Sequence, residues 1–131
     1  MDGIARVSQP YVLQLAAQRT HWLSARDQLI ATNVANANTP NFKATDLQPF
    51  SAILNSSEIS MISTNPAHLT PGADDLSDAR AVENDSSEST LSGNTVHVED
   101  EMMKLSEVNR DYALTTNIKR VIHQMMMAVL K

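Results

Sequence analysis

Cysteine is absent from this 131-residue chain, which removes disulfides, thiolate nucleophiles and cysteine metal sites together. Glycine occurs only as Gly3, Gly72 and Gly93, so no glycine-rich loop is available to cradle a phosphate. Aromatic residues make up 4% of the chain. The bases are spread over both ends, so the basic stripe with aromatic stacking partners that nucleic-acid binding requires is missing. No apolar run approaches the roughly 18 residues of a membrane span. The start, MDGIARVSQP, lacks the basic and apolar stretches of a cleavable secretory signal. From residues alone, a cytoplasmic location is expected.

Catalytic patterns are missing as well. His21, His68, His97 and His123 have no ligand spacing such as H-E-x-x-H, and Ser86, Ser87 and Ser89 have no G-x-S-x-G elbow. No catalytic residue, cofactor, metal site or small-molecule substrate is expected. A small hydrolase would need Asp46, His68 and His97 to converge. His97 beside Glu99 and Asp100 resembles an acid–base pair, but a charged helix start explains it without catalysis.

What is present is helical periodicity at both ends of a single domain's length, with a modest core. Three segments follow: 1–46, 47–93 and 94–131. From about Pro10 to Asn36, the apolar residues Val12, Leu15, Trp22, Leu23, Leu29, Ile30, Val34 and Ala37 recur at spacings of three, four and seven, the mark of one helical stripe. Ser8 or Gln9 precedes the first turn, and Pro10 suits a helix start. Arg19 and Arg26 flank the stripe, either as solvent-facing side chains with buried stems or as ion-pair partners for an adjacent subunit.

A second helix is expected from about His97 to Leu130. Val98, Leu105, Tyr112, Lys119 and Met126 are successive seven-residue steps broken only by Lys119, and Met102, Val108, Thr115, Ile122 and Val129 interleave with them. This is a coiled-coil-like seam. Glu99, Asp100 and Glu101 sit where the helix dipole favours acids, and either His97 or Thr95 precedes as the cap. Met102 and Met126 suit core filling. The run Met125 to Met127 spreads around the helix, so one of the three is expected to face a neighbouring subunit.

Between these helices, Leu47 to Gly93 is polar. Its apolar islands, Phe50–Leu54 and Ile59–Ile62, suit a helical turn or short strand, and no regular structure is expected over 70–93. The net charge of −5 is uneven. From Asp74 to Glu101, nine acids oppose Arg80 alone, as in a solvated segment.

The most distinctive stretch joins the first helix to this middle. In NVANANTPNFKATD, residues 33–46, the amides of Asn33, Asn36 and Asn38 can bind backbone and each other. Thr39-Pro40 stops the helix, and Asn41 tolerates the left-handed conformation that usually calls for glycine. One reading is a cap and chain reversal with no partner role; the other is an assembly turn.

The run Ser24 to Asp46 resembles the N-terminal signature of the bacterial flagellar rod, hook and hook-associated family, a helix ending roughly A-N-x-A-N-x-N-T-P-G-Y/F-K. Asn33, Ala35-Asn36, Asn38-Thr39-Pro40, Phe42 and Lys43 fall on it, and Asn41 replaces the usual glycine. Thr64 to Leu69 (TNPAHL) and Asn94 to Leu105 (NTVHVEDEMMKL) are weaker echoes; relatives often carry Asp where this chain has His97. The short chain, and the direct passage from Asn38 to Thr39-Pro40, most resemble the proximal basal-body rod proteins.

The resemblance implies a non-enzymatic structural subunit of the proximal rod, a type III export substrate carried to the periplasmic basal body without a cleaved signal. Its implied partners are copies of itself, other rod proteins, the membrane-ring adaptor protein and the flagellar export apparatus. The alternative is a cytoplasmic helical adaptor or export chaperone. The expected fold is all-α: an elongated antiparallel pair of N- and C-terminal helices, coiled-coil-like, with a long polar, partly irregular middle. The expected seam sets Leu15, Leu23, Ile30 and Val34 against Leu105, Tyr112, Ile122 and Val129. The implied assembly turn comprises Asn33, Asn36, Asn38, Thr39, Pro40 and Phe42.

Overall fold

The computed structural model describes residues 11–57, 80–83 and 88–130. Its elements are α1 (Tyr11–Ala35), β1 (Thr45–Leu47), α2 (Phe50–Ser57), β2 (Ala81–Glu83) and α3 (Val98–Val129). The architecture is all-α in its mass, with two long helices at the ends. The expected helix start at Ser8 to Pro10, the island Ile59–Ile62 and the TNPAHL echo lie outside the described residues.

Three polar contacts fix the direction of helix pairing. Asn33 meets Glu101, Arg26 meets Glu107 and Arg19 meets Asp111, so α1 descends as α3 rises and the pair is antiparallel. On α1, Ala16, Leu23 and Ile30 are buried at seven-residue steps, with Trp22 and Asn33 beside them. On α3 the buried line is Glu101, Val108 and Thr115, also seven apart. Trp22, Leu23, Ile30 and Val108 form the core, and Val34, Leu47, Phe50, Ile53 and Leu105 pack against it. The core therefore takes in β1 and α2 as well as the helix pair. Full burial of a leucine such as Leu23, at 1% exposure, contributes about 1.5–3 kcal/mol.

Several expectations need correction. Tyr112 is 49% exposed and Val129 85%, so neither belongs to the seam inside one chain. Leu15 and Ile122 are half-buried. The buried line on α3 begins at Glu101 rather than Val98 or Met102, because Asn33 and Lys104 satisfy the Glu101 carboxylate and remove the penalty that apolarity alone assigns to it. Met102, expected in the core, is exposed, as is Val12 on α1.

Regular structure also appears where none was expected. β2 lies inside 70–93 and pairs antiparallel with β1, matching Thr45 with Glu83, Asp46 with Val82 and Leu47 with Ala81. The island at Phe50 becomes α2, and Phe50 packs tilted to Trp22 with ring centroids 6.0 Å apart.

Leu23→Ala is expected to lower the unfolding free energy by about 2–5 kcal/mol. Val129→Ala should stay within about 0.5 kcal/mol. Urea melts of the two variants check whether the core lies where the burial places it.

Candidate functional site

The asparagine turn folds inward onto the segment that leads into α3. Asn33 closes α1 with no exposed surface. Its amide nitrogen donates to the Thr45 carbonyl at 2.7 Å and to Glu101 Oε2 at 3.1 Å, while its oxygen accepts the Thr45 N–H at 3.1 Å. One side chain thus holds α1, β1 and α3 together. Asn33 was expected in an assembly turn. It is instead buried within the chain and has no surface to offer a partner.

Asn36 also works locally. Its amide donates to the Thr32 carbonyl and its oxygen accepts from Thr39 Oγ1. The Asn36 and Thr39 carbonyls both receive the amide of Asn94, each at 2.8 Å. Asn94 is 2% exposed, and its oxygen accepts the Val96 N–H at 2.7 Å.

The two segments then pair along their backbones. Asn41 N–H donates to the Ser92 carbonyl and Thr95 N–H to the Phe42 carbonyl. Ala44 N–H donates to Thr95 Oγ1, so Thr95 ties the turn down and does not cap α3. His97 holds the cap position with no side-chain cap bond. Asn41 has φ of 61°, the left-handed conformation expected of it, and Gly93 opposite has φ of 79°. A Cβ on Gly93 would lie 2.5 Å from Asn41 Oδ1, so any larger residue there must displace the end of the Asn41 side chain. What remains outside is Asn38, Thr39 and Pro40, all exposed, with Phe42 half-buried.

A charged cluster continues from this lock along the helices. Arg26 binds Asp46 through two nitrogens, at 3.0 and 3.1 Å, and reaches Glu107 at 3.4 Å. Lys104 lies 2.9 Å from Glu101 and 3.7 Å from Asp46. Arg19 pairs with Asp111 at 2.8 Å and stacks over Trp22 at 4.7 Å and Phe50 at 5.1 Å, a favourable cation–π geometry. Both arginines therefore pair within the chain, which replaces both earlier readings of them. Burial works against the charge on Arg26, but the hydrogen bond and charge of Asp46, with Glu107 behind, more than offset it and raise its pKa above the ordinary value.

An open cavity of about 490 Å³ lies beside this cluster, with Trp22, Phe50 and Pro49 among its walls. Its charged groups are already in ion pairs, Arg26 with Asp46 and Glu107 and Arg19 with Asp111, and Trp22 Nε1 donates to the Gln48 carbonyl. Asp46 is held by Arg26 and Lys104, while His97 Nε2 contacts the Glu88 carbonyl. His68 lies outside the described residues. Among the described residues no group of three or more His, Asp or Glu is placed to hold a metal ion. Nor is any helix among them long and apolar enough to cross a membrane.

Sequence reasoning missed Glu101 as a buried anchor and missed the arginine pairings. Signals for both existed. Glu101 stands seven residues before Val108, and Arg19 and Arg26 are also seven apart on one face of α1, while Glu107 and Asp111 lie four apart on one face of α3.

No protein-family model matches the chain. It is 40% identical to the flagellar basal body rod protein FlgB of Agrobacterium fabrum (strain C58 / ATCC 33970) over 130 residues, covering 94% of this chain and 96% of the relative. The chain belongs to the FlgB family. In this FlgB-family chain the signature residues divide between the internal lock, Asn33 and Asn36, and the outer tip, Asn38 to Pro40.

Asn33→Ala strands both polar groups of Thr45 and removes a donor from buried Glu101, so a loss of about 2–3 kcal/mol is expected. Gly93→Ala should cost about 1–2 kcal/mol from the left-handed backbone, with a further loss from the Asn41 contact. Adding Asn41→Gly should restore that further loss only. Thermal melts of the single and double variants measure both parts.

Proposed function

We propose that this chain is a structural subunit of the proximal rod in the bacterial flagellar basal body and works by assembly, with no catalytic turnover. Identity of 40% along nearly the whole of both chains, to a protein named as a flagellar basal body rod protein, carries this reading. The geometry supports it. Asp46 is committed to ion pairs with Arg26 and Lys104, while the two long helices leave apolar side chains outside.

The finer reading follows the same line. The chain leaves the cytoplasm through the flagellar export apparatus without a cleaved signal and takes its place in the periplasmic part of the basal body. There it meets copies of itself, other rod proteins and the membrane-ring adaptor protein. The lock built by Asn33, Asn36 and Asn94 fixes the angle at which the chain leaves α1. It presents Asn38, Thr39 and Pro40 as a rigid tip for an axial neighbour, and the terminal helices supply the lateral contacts.

Deleting the gene should abolish swimming and leave basal bodies with rings but no rod under the electron microscope, and the unaltered chain should restore both. Asn36→Ala/Pro40→Ala, expressed and exported at normal levels, should fail to restore the rod. Normal flagella in the deletion strain would overturn the rod reading. A rescued rod with the double variant would leave the turn a role in chain reversal alone.

A further inference from the structure

Helix α3 changes character after Asp111. Residues 112–131 hold Lys119, Arg120 and Lys131 and no acid, whereas residues 98–111 hold Glu99, Asp100, Glu101, Glu107 and Asp111 against Lys104 and Arg110. The change falls near the end of the helix pair. Arg19 meets Asp111, so Tyr11, eight residues before Arg19, starts α1 near the level of Lys119. Past that level α3 runs on alone among the described residues.

The side chains of this half are sorted by face. At about 100° per residue, Val121, Leu114, Met125, Ile118 and Val129 fall in that order within an arc of about 80°. All five are exposed, from 42% at Ile118 to 85% at Val129. From Leu114 to Val129 they make a straight band about 22 Å long. Buried Thr115 and half-buried Ile122 lie to one side of it. Lys119, His123, Thr116, Arg120, Gln124 and Asn117 fill the far arc, and of the large apolar residues between Ala113 and Val129 only Met127 falls among them. Arg120 donates to Asn117 Oδ1 at 3.1 Å. Among the described residues, neither Arg120 nor Lys119 is in an ion pair.

We propose that the second half of α3 lies on the surface of an anionic lipid bilayer, with Leu114, Ile118, Val121, Met125 and Val129 dipped into the boundary between headgroups and acyl chains. Aliphatic residues on one face of a helix, with bases and no acids on the other, are the composition of helices that rest in a membrane interface. The long stems of Lys119 and Arg120 let their charges reach the lipid phosphates while the apolar band is immersed. Each base near such a surface raises partitioning about fivefold. The band is straight and wholly aliphatic or thioether, with no polar atom for a shaped pocket to match, and the charge around it is positive alone. A flat, fluid, negative surface satisfies both properties. The acids of residues 98–111 are repelled by that surface, so the end of the helix pair that carries the asparagine lock stands away from it. The contact is one of surface only, since α3 is not apolar enough to cross a membrane. It is independent of the rod-subunit reading and can fail while that reading stands.

Vesicle sedimentation of the purified chain tests this. The chain should pellet with vesicles of equal parts phosphatidylglycerol and phosphatidylcholine and stay in solution with phosphatidylcholine alone, with the vesicle-free chain as the blank. Lys119→Gln/Arg120→Gln should weaken binding about 25-fold, and Ile118→Ser/Met125→Ser should abolish it. Ile118 and Met125 are exposed, so circular dichroism of that variant should match the parent. The absence of cysteine permits a second readout. A polarity-sensitive fluorophore on Met125→Cys should shift to the blue on the anionic vesicles, and the same probe on Thr116→Cys should not. Failure to bind the anionic vesicles, equal binding to both kinds, or binding that survives Ile118→Ser/Met125→Ser would each overturn the proposal. A chain that ignores vesicles but self-associates through Ile118 and Met125 would assign the band to protein and overturn it as well.

Discussion

The amide of Asn33 is the contact on which the rest of this structure depends. It is the last buried side chain of α1, and it binds both polar groups of Thr45 and the carboxylate of Glu101. Without it the buried Glu101 carboxylate would keep only Lys104, and β1 would be tied to α1 by the Arg26–Asp46 pair alone among side-chain polar contacts between the two elements. With it, Lys104 and Arg26 can gather around Glu101 and Asp46 so that every buried side-chain polar atom among the described residues has a partner. A fully satisfied polar network specifies one register where apolar surfaces alone tolerate several.

The register matters because the hydrophobic seam is short. Four side chains form the buried cluster, and a slide of α1 by one turn along α3 would still bury aliphatic groups. The pairs Arg26 with Glu107 and Arg19 with Asp111 forbid that slide at two further levels. Stability comes mostly from burial and alignment mostly from charge. The asparagine lock then fixes where the chain goes after α1, so an exposed tip has a defined place relative to both helices.

The sequence made part of this legible. Both long helices could be read from spacing, and the break after Ala35 from Thr39-Pro40 and the asparagines; the left-handed backbone at Asn41 followed from residue type. Local chemistry decides those features. The pairing of β1 with β2, the burial of Glu101 and the internal use of Arg19 and Arg26 depend on residues far apart in the chain, which propensity and periodicity do not register. Tyr112 shows the limit well. Its seven-residue relation to Leu105 placed it in a seam, but two adjoining lines on α3 share that period, and the carboxylate, not the phenol, lies on the buried one. For the turn, residue type identified the motif but not the division between inward and outward asparagines, because Asn33 is turned inward by Thr45 and Glu101, residues remote from it in the chain.

The small β1–β2 ladder has a consequence for how such a chain can change. By joining residue 47 to residue 81 it brings the two ends of the intervening stretch side by side. The helix pair and the asparagine lock are built from residues outside that stretch, apart from the few in α2 that pad the core. Lengthening the chain at that point adds only a closure entropy that grows with the logarithm of loop length. The ladder therefore acts as a port where extra sequence, even a further folded unit, can be grafted while the helical shaft keeps its geometry.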